Sequence, residues 1–374
     1  MITNDDVKLK NVQGEVKMPT RVADLSPEQY KEDEKYMRRC LQLARQGRVG
    51  ARPNPMVGAV VVCDGCIIGE GYHICQGGPH AEVHAIRSVR QPERLPQSTI
   101  YVSLEPCSHY GKTPPCADLI ISTGIKRCVV GCKDPFAQVD GQGIRKLLDA
   151  GVEVTVGVLE QECLALNQTF VTYHTLKRPY ITLKWAQSMD GLMDALPKGE
   201  KPVKFSTKLS MTLMHRRRAL SDAILVGGRT ALNDNPTLTV RNWSARGETG
   251  NLPMYLKEKY GDVSGNPLRV VIDTHGNLPA DLNLFNEEAE TLVWSGCDLN
   301  ALMLELHKKN VQTLLVEGGA ETLRQFLDEG LWDEMRVETA PFKLCTGVEA
   351  PSLEGLCPAE VHFVDGNTIS VYRH

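Results

Sequence analysis

One histidine, one glutamate and two cysteines are spaced so that they could hold a metal and move protons. They lie in GGPHAEVHAIRSV (77–89) and LEPCSHYGKTPPC (104–116). A catalytic zinc site takes three protein ligands and keeps a fourth position open for water. His80, Cys107 and Cys116 supply the three, and Glu82 is the carboxylate that moves protons. The pattern follows the H-x-E and P-C-x-x-C signature of zinc deaminases, with its second half widened. SHYGKTPP separates the two cysteines, and its Gly and Pro content reads as a loop rather than a helical turn.

Each residue type has a chemical reason. Two thiolates and an imidazole hold zinc tightly, and zinc so held makes water nucleophilic near neutral pH. An electron-poor ring carbon bearing an amino group is then open to attack. Ammonia does not leave as an anion, so Glu82 takes the proton from water and delivers it to the departing nitrogen. Glu82 follows His80 by two residues, about 200° around a helix, a spacing that suits touching the water rather than the metal. Cys116 follows Pro114-Pro115 and precedes ADLIISTG, which reads as a helix start whose dipole favours a thiolate.

Two other readings of these residues exist. They could be buried structural cysteines with a core histidine. His80 and His84 could also pair as i and i+4 metal ligands, but a zincin needs Glu directly after the first histidine, where Ala81 stands. Cys63 and Cys66 form a C-x-x-C that brackets Asp64-Gly65 between GAVVV and IIGEGY. Asp-Gly between two β-rich runs is a hairpin turn, so these cysteines are expected to flank a turn and not to bind metal.

The elements around the motif must position it. Residues 1–27 read as a flexible extension. A helix then starts with Ser26 as N-cap and Pro27 at its first position. A hairpin over 59–72 follows, then a helix over 80–90 carrying HAE and a strand over 99–104. A helix at 116–123, a strand at 127–132, a helix at 141–151 and a strand at 152–158 complete the unit. Strands alternating with helices imply an α/β layer. A second α/β unit starts near Lys177-Arg178-Pro179. It has PYITLKWAQSMDG (179–191), a helix near 207–220, strands at 222–228, 268–274 and 291–296, and a helix at 298–309. TLLVEGGAETLRQFLDEG (313–330) and strands in the tail close it. No internal repeat is present.

Composition excludes several function classes. The 374 residues suffice for two domains, and the net charge of −4 argues against a nucleic-acid binder with a basic stripe. No apolar run is long enough to span a membrane. The polar N-terminus lacks the apolar core of a secretory signal. Twelve irregularly spaced cysteines fit reduced thiols in a cytoplasm better than a disulfide framework.

The second unit offers weaker signals. VEGGAETL and DAILVGGRT each put two glycines between an apolar strand and a helix, where backbone amides can hold a phosphate. Neither is the G-x-G-x-x-G of a Rossmann site. Arg216, Arg217 and Arg218, with Arg241 beyond, could grip a phosphate monoester, although two of the three clustered arginines read as a solvated helix face.

The chain resembles a known family along 28–374. PNPMVGAVVV, GEGYH, GGPHAEVHAI, YVSLEPCSHYGKTPPC and GCKDP look like the deaminase half of the bifunctional riboflavin-biosynthesis deaminase–reductases. ITLKWAQSMDG, DAILVGGRTALNDNPTLTVR, RVVIDT and LLVEGGAETL look like the reductase half. The resemblance implies a cytidine-deaminase-like α/β/α domain (28–176) followed by a dihydrofolate-reductase-like α/β domain (177–374). It implies hydrolysis of the 2-amino group of 2,5-diamino-6-(5-phosphoribosylamino)pyrimidin-4-one, then reduction of the ribosyl group to ribityl with NADPH. By motif it carries over His80, Cys107 and Cys116 as zinc ligands, Glu82 as proton donor and Asn54 as a substrate contact.

For NADPH the matching positions are Gln187, Thr230, Asp234, Thr274 and the run Gly319, Ala320, Glu321, Thr322, Leu323, Arg324 and Gln325. For the phosphorylated substrate they are Arg218, Leu238, Arg241 and Glu317. A guanidinium pair matches a phosphate, and Glu317 would hold ribose hydroxyls. The resemblance also implies a homodimer. The sequence departs from the family in the reductase half. Leu192-Met193-Asp194 follows Asp190-Gly191 in place of a basic and a small residue. Lys204 stands near a usual tryptophan, and Asn235 replaces a frequent aspartate. A deaminase with an altered reductase half, an editing deaminase acting on nucleic acid and a non-catalytic zinc-stabilised binding protein are the alternatives.

Overall fold

The computed structural model describes residues 18–48, 50–108, 114–135, 141–196, 203–241, 243 and 265–374. Parts of the expected extension, of the loop between the cysteines and of the 196–207 segment lie outside these residues. Two compact units separate, the first ending at Thr175 and the second beginning at Leu176.

The first unit holds β1 (Thr20–Arg21), α1 (Pro27–Ala44), β2 (Gly58–Cys63), β3 (Cys66–Tyr72), α2 (Ala81–Arg87) and β4 (Thr99–Leu104). After these come α3 (Cys116–Ser122), β5 (Arg127–Cys132), α4 (Gln142–Asp149), β6 (Glu153–Val156), α5 (Glu160–Leu166) and α6 (Gln168–Leu176). Its sheet runs β1-β6-β5-β4-β2-β3. Alternation along the strands serves two cores. Ala59 and Val61 of β2 pack with Ala85, Ile120 and Leu147 from α2, α3 and α4. Val60 and Val62 face Met37, Cys40 and Leu41 of α1 and Cys163 of α5. The layers are therefore α/β/α.

Local signals explain the elements. Ser26 Oγ accepts the Gln29 N–H at 3.2 Å, with Pro27 in the first turn. Asp64 (φ 50°) and Gly65 (φ 71°) turn the β2–β3 hairpin, so Cys63 and Cys66 are paired flanks as expected. The extension is engaged at its end, since Thr20 and Arg21 pair with Thr155 and Val156 of β6. An edge strand of a sheet offers unpaired backbone groups, and these two residues satisfy some of them. The short helices α5 and α6 went unforeseen, since Leu159 enters α5 from a left-handed backbone with no capping side chain.

The second unit holds β7 (Tyr180–Gln187), β8 (Leu192–Ala195), α7 (Lys208–Ala219), β9 (Ala223–Gly227), α8 (Gly228–Asp234), β10 (Leu268–Ile272) and β11 (Thr291–Trp294). It continues with α9 (Leu299–Lys308), β12 (Thr313–Gly318), α10 (Ala320–Asp328), β13 (Glu334–Thr339), β14 (Gly347–Glu349), β15 (Glu360–Val364) and β16 (Asn367–Arg373). The large sheet runs β11-β10-β9-β12-β7-β13-β16-β15, and β8 pairs with β14. From β11 to β13 the neighbours are parallel, while β16 and β15 close it antiparallel. Leu302, Leu306, Leu323 and Phe326 from α9 and α10 bury one face. Ala231, Leu238, Leu282 and Leu284 bury the other. Fully burying one such Leu or Phe contributes about 1.5–3 kcal/mol.

Candidate active sites

The deaminase motif converges on one point. His80 caps α2 in an extended conformation, Cys107 follows β4, and Cys116 opens α3. His80 Nδ1 lies 3.5 Å from Cys107 Sγ and 3.4 Å from Cys116 Sγ. A tetrahedron with Zn–N near 2.0 Å and Zn–S near 2.3 Å has N···S edges of about 3.5 Å. The trio fits zinc, and it is the metal-capable group among the described residues. His84 stands outside it, which removes the i, i+4 alternative.

Protons compete for the same atoms. The hydrogen bond with Cys116 holds the Cys107 thiol down to about 4 and pushes Cys116 up. Bonding to Cys107 raises His80 to about 9. The Cys116 backbone N–H also donates to Cys107 Sγ at 3.3 Å. A cation displaces protons from such ligands.

Glu82 is 3 % exposed, and burial raises its pKa, which suits a carboxylate that carries a proton. The expected 200° separation from His80 does not apply, because His80 precedes the helix with ψ 169°. Glu82 meets the Cys116 side chain, beside His80. Gly69 and Gly71 let α2 lie directly on β3: a Cβ on Gly71 would sit 2.4 Å from Ala85 N.

Asn54 is held by a histidine that is itself anchored. His73 Nε2 meets Asn54 Nδ2 at 3.2 Å, and His73 Nδ1 meets the Pro79 carbonyl at 3.2 Å. Burial holds His73 down to about 4, so the ring is neutral at neutral pH. Asn167 clamps Met56, accepting its N–H at 2.8 Å and donating to its carbonyl at 2.9 Å. His73 and Asn167 were missed from the sequence; GEGYH contained the first, but no spacing marked it.

In the second unit the C-terminal ends of β7, β9, β10 and β12 share one edge of the sheet, where ligands of α/β sheets bind. Gln187, Gly227, Thr274 and Gly319 sit at or just past these ends. The two glycine turns lock reciprocally. A Cβ on Gly227 would lie 2.4 Å from Thr322 Oγ1, and one on Gly319 would lie 2.7 Å from Thr230 Oγ1. The Gly319 N–H donates to Thr230 Oγ1 at 2.9 Å. Arg218 and Glu317 form a bidentate pair, and Arg218 Nη1 donates to the Thr239 carbonyl. Lys184 on β7, another residue the sequence did not single out, helps hold down Glu317 and Glu338.

Comparison with known proteins matches this architecture. The cytidine and deoxycytidylate deaminase zinc-binding region matches residues 30–132, and the RibD C-terminal domain matches 179–361. The chain is 39% identical to the riboflavin biosynthesis protein RibD of Aquifex aeolicus, over 83% of this chain and 87% of the relative. It is 37% identical to RibD of Escherichia coli, over 88% and 94%.

The chain belongs to the RibD family. Its fold is similar to a Thermotoga maritima diaminohydroxyphosphoribosylaminopyrimidine deaminase/5-amino-6-(5-phosphoribosylamino)uracil reductase, with TM-score 0.76, 34% identity and coverage of 92% and 99%. It is also similar to Acinetobacter baumannii RibD, with TM-score 0.78, 31% identity and the same coverage. RibD proteins join a zinc-dependent deaminase to an NADPH-dependent reductase in riboflavin biosynthesis, and this chain carries both domains of the RibD plan.

Not every expected RibD position points a side chain to solvent. Leu323 is fully buried in the core, Leu238 is 2 % exposed at φ 52°, and Glu321 and Gln325 are exposed. Arg218 is buried and Arg217 pairs with Glu334. Asn235, one of the departures, caps α8 in a left-handed conformation that Asn tolerates. Its side chain accepts the Asn283 N–H at 2.7 Å, so this substitution is well accommodated. Leu192–Ala195 forms β8, paired with β14.

Proposed function

We propose that residues 28–176, with β1 (Thr20–Arg21) added to their sheet, form the deaminase domain and 177–374 the reductase domain of one bifunctional enzyme. Its substrate is 2,5-diamino-6-(5-phosphoribosylamino)pyrimidin-4-one, deaminated in the first unit and then reduced from ribosyl to ribityl in the second. The observation that carries this reading is the set of N···S distances at His80, with a buried Glu82 beside it.

His80, Cys107 and Cys116 hold zinc, which when bound supplies the Lewis acidity that makes water nucleophilic at neutral pH. Glu82 accepts the proton from water and gives it to the departing amine. Asn54, oriented by His73 and tied through Met56 to Asn167, holds the pyrimidine. In the reductase unit, Gln187, Thr230, Asp234, Thr274 and the 319–325 turn hold NADPH, the hydride source. Arg218, Arg241, Glu317 and the Leu238 backbone grip the phosphorylated ribose.

A homodimer completes the assembly. The edge strand β15 leaves Val361 47 % and Phe363 84 % exposed, the kind of apolar edge that a second chain covers. Among the described residues no helix is long and apolar enough to cross a membrane. The zinc thiols must stay reduced, which supports the cytoplasm as the place of action. Metal analysis tests the site. One zinc per chain is expected, and Cys107→Ser and Cys116→Ser lose zinc and deamination together while NADPH affinity persists. Full zinc retention in both variants would refute the ligand set.

A further inference from the structure

His215 lies on α7 with no exposed surface. Its Nδ1 accepts the Arg241 backbone N–H at 3.4 Å, and its Nε2 has no hydrogen-bond partner. Three residues later, Arg218 Nη1 donates to the Thr239 carbonyl at 3.2 Å. Residues i and i+3 of a helix are neighbours on its surface, so one face of α7 holds both ends of the Thr239–Arg241 stretch.

That stretch needs holding. Leu238 just before it has φ 52°, a left-handed backbone that a non-glycine residue adopts only at an energetic cost. Such a conformation persists only where surrounding contacts over-determine it. Arg241 starts from this stretch, and its guanidinium donates to Thr237 Oγ1 at 2.5 Å.

We propose that His215 is a positioning residue for recognition of the phosphorylated end of the reductase substrate: its Nδ1 fixes the Thr239–Arg241 backbone from which Arg241 reaches the phosphate. This rests on the assignment of Arg241 to the phosphate given above. A neutral ring is the side chain for the task. It accepts a backbone N–H without adding a third cation beside Arg218 and Arg241, and burial, followed by those two charges, lowers its pKa.

The test uses the full chain, assayed for reduction of the phosphorylated substrate and of its dephosphorylated analogue. His215→Asn keeps an acceptor close to the position of Nδ1, His215→Gln moves the polar group outward, and His215→Leu removes it. The Gln and Leu variants should raise KM for the phosphorylated substrate at least tenfold, with kcat within threefold and the analogue unaffected. The Asn variant should stay within threefold of wild type. An unchanged NADPH affinity establishes that each variant is folded; should the Leu variant fail to fold, the Asn and Gln pair decides.

Equal shifts for both substrates, an Asn variant as impaired as Gln, or no shift in Gln would overturn the proposal. Arg241→Ala separates the two levels. If it leaves the preference for phosphate intact, the assignment of Arg241 fails. If it abolishes that preference while His215→Gln does not, only the role of His215 fails.

Discussion

Arg218 and Glu317 face each other end to end, Nε to Oε1 at 2.9 Å and Nη2 to Oε2 at 2.6 Å, with both side chains at most one-tenth exposed. Burial pushes the Glu317 carboxyl up, and Arg218 more than offsets this, so the group is ionised below the ordinary carboxylate range. The guanidinium still has N–H groups to spare for a phosphate after binding Glu317 and Thr239.

Removing one partner strands a buried charge. Glu317→Gln should therefore destabilise the second unit by about 3 kcal/mol or somewhat more. Reductase turnover should fall at least about a hundredfold, while deamination stays within twofold. Urea unfolding and separate assays of the two reactions check this, and an unaffected reductase would contradict the role of the pair.

Glu82→Gln keeps shape and removes the proton carrier. Deamination should drop by about 10²–10⁴-fold with zinc still bound. A variant that retains turnover would favour a purely structural metal site, the non-catalytic alternative.

His73 gives a pH signature. Burial holds its folded pKa at about 4, whereas the unfolded ring titrates near about 6.5. The unfolded chain takes up the proton first, so stability falls as pH drops from about 6.5 to about 4. The loss approaches about 3 kcal/mol, at about 1.4 kcal/mol per pH unit between the two values. His73→Gln can still bond Asn54 but does not titrate. Its stability relative to wild type should improve across that window, and a gap independent of pH would contradict a buried neutral His73.

The glycine turns of the reductase unit make a steric prediction. Gly319→Ala forces a methyl to within 2.7 Å of Thr230 Oγ1, so either the turn or the Thr230 side chain that accepts the Gly319 N–H must shift. NADPH affinity should weaken about tenfold, a cost of about 1.4 kcal/mol, with deamination unchanged. Titration by nucleotide fluorescence reads it, and unaltered affinity would move the cofactor elsewhere.

The metal site was legible because its chemistry constrains residue type: few alternatives to His80, Cys107, Cys116 and Glu82 satisfy zinc and proton transfer. Strands and helices with clear punctuation were legible too, such as the Ser26-Pro27 start and the Asp64-Gly65 turn. What the sequence hid depends on tertiary contact. His73 reaches Asn54 across 19 residues, Asn167 reaches Met56 across 111, and Arg218 meets Glu317 across 99. The geometry of His80 also escaped it, because periodicity does not reveal that a residue caps a helix rather than joins it. Leu323 and Leu238 show the converse, since positions assigned to ligands by family pattern put their side chains into the core.

The most direct test of a two-activity enzyme is mass spectrometry of the products formed from 2,5-diamino-6-(5-phosphoribosylamino)pyrimidin-4-one by zinc-replete protein, with and without NADPH. Replacement of one amino group by oxygen is expected in both samples, and a further gain of two hydrogens only with NADPH. Exchange without reduction would confine the activity to the first unit and implicate the departures near Leu192 and Lys204. If neither change occurs, the substrate assignment is contradicted.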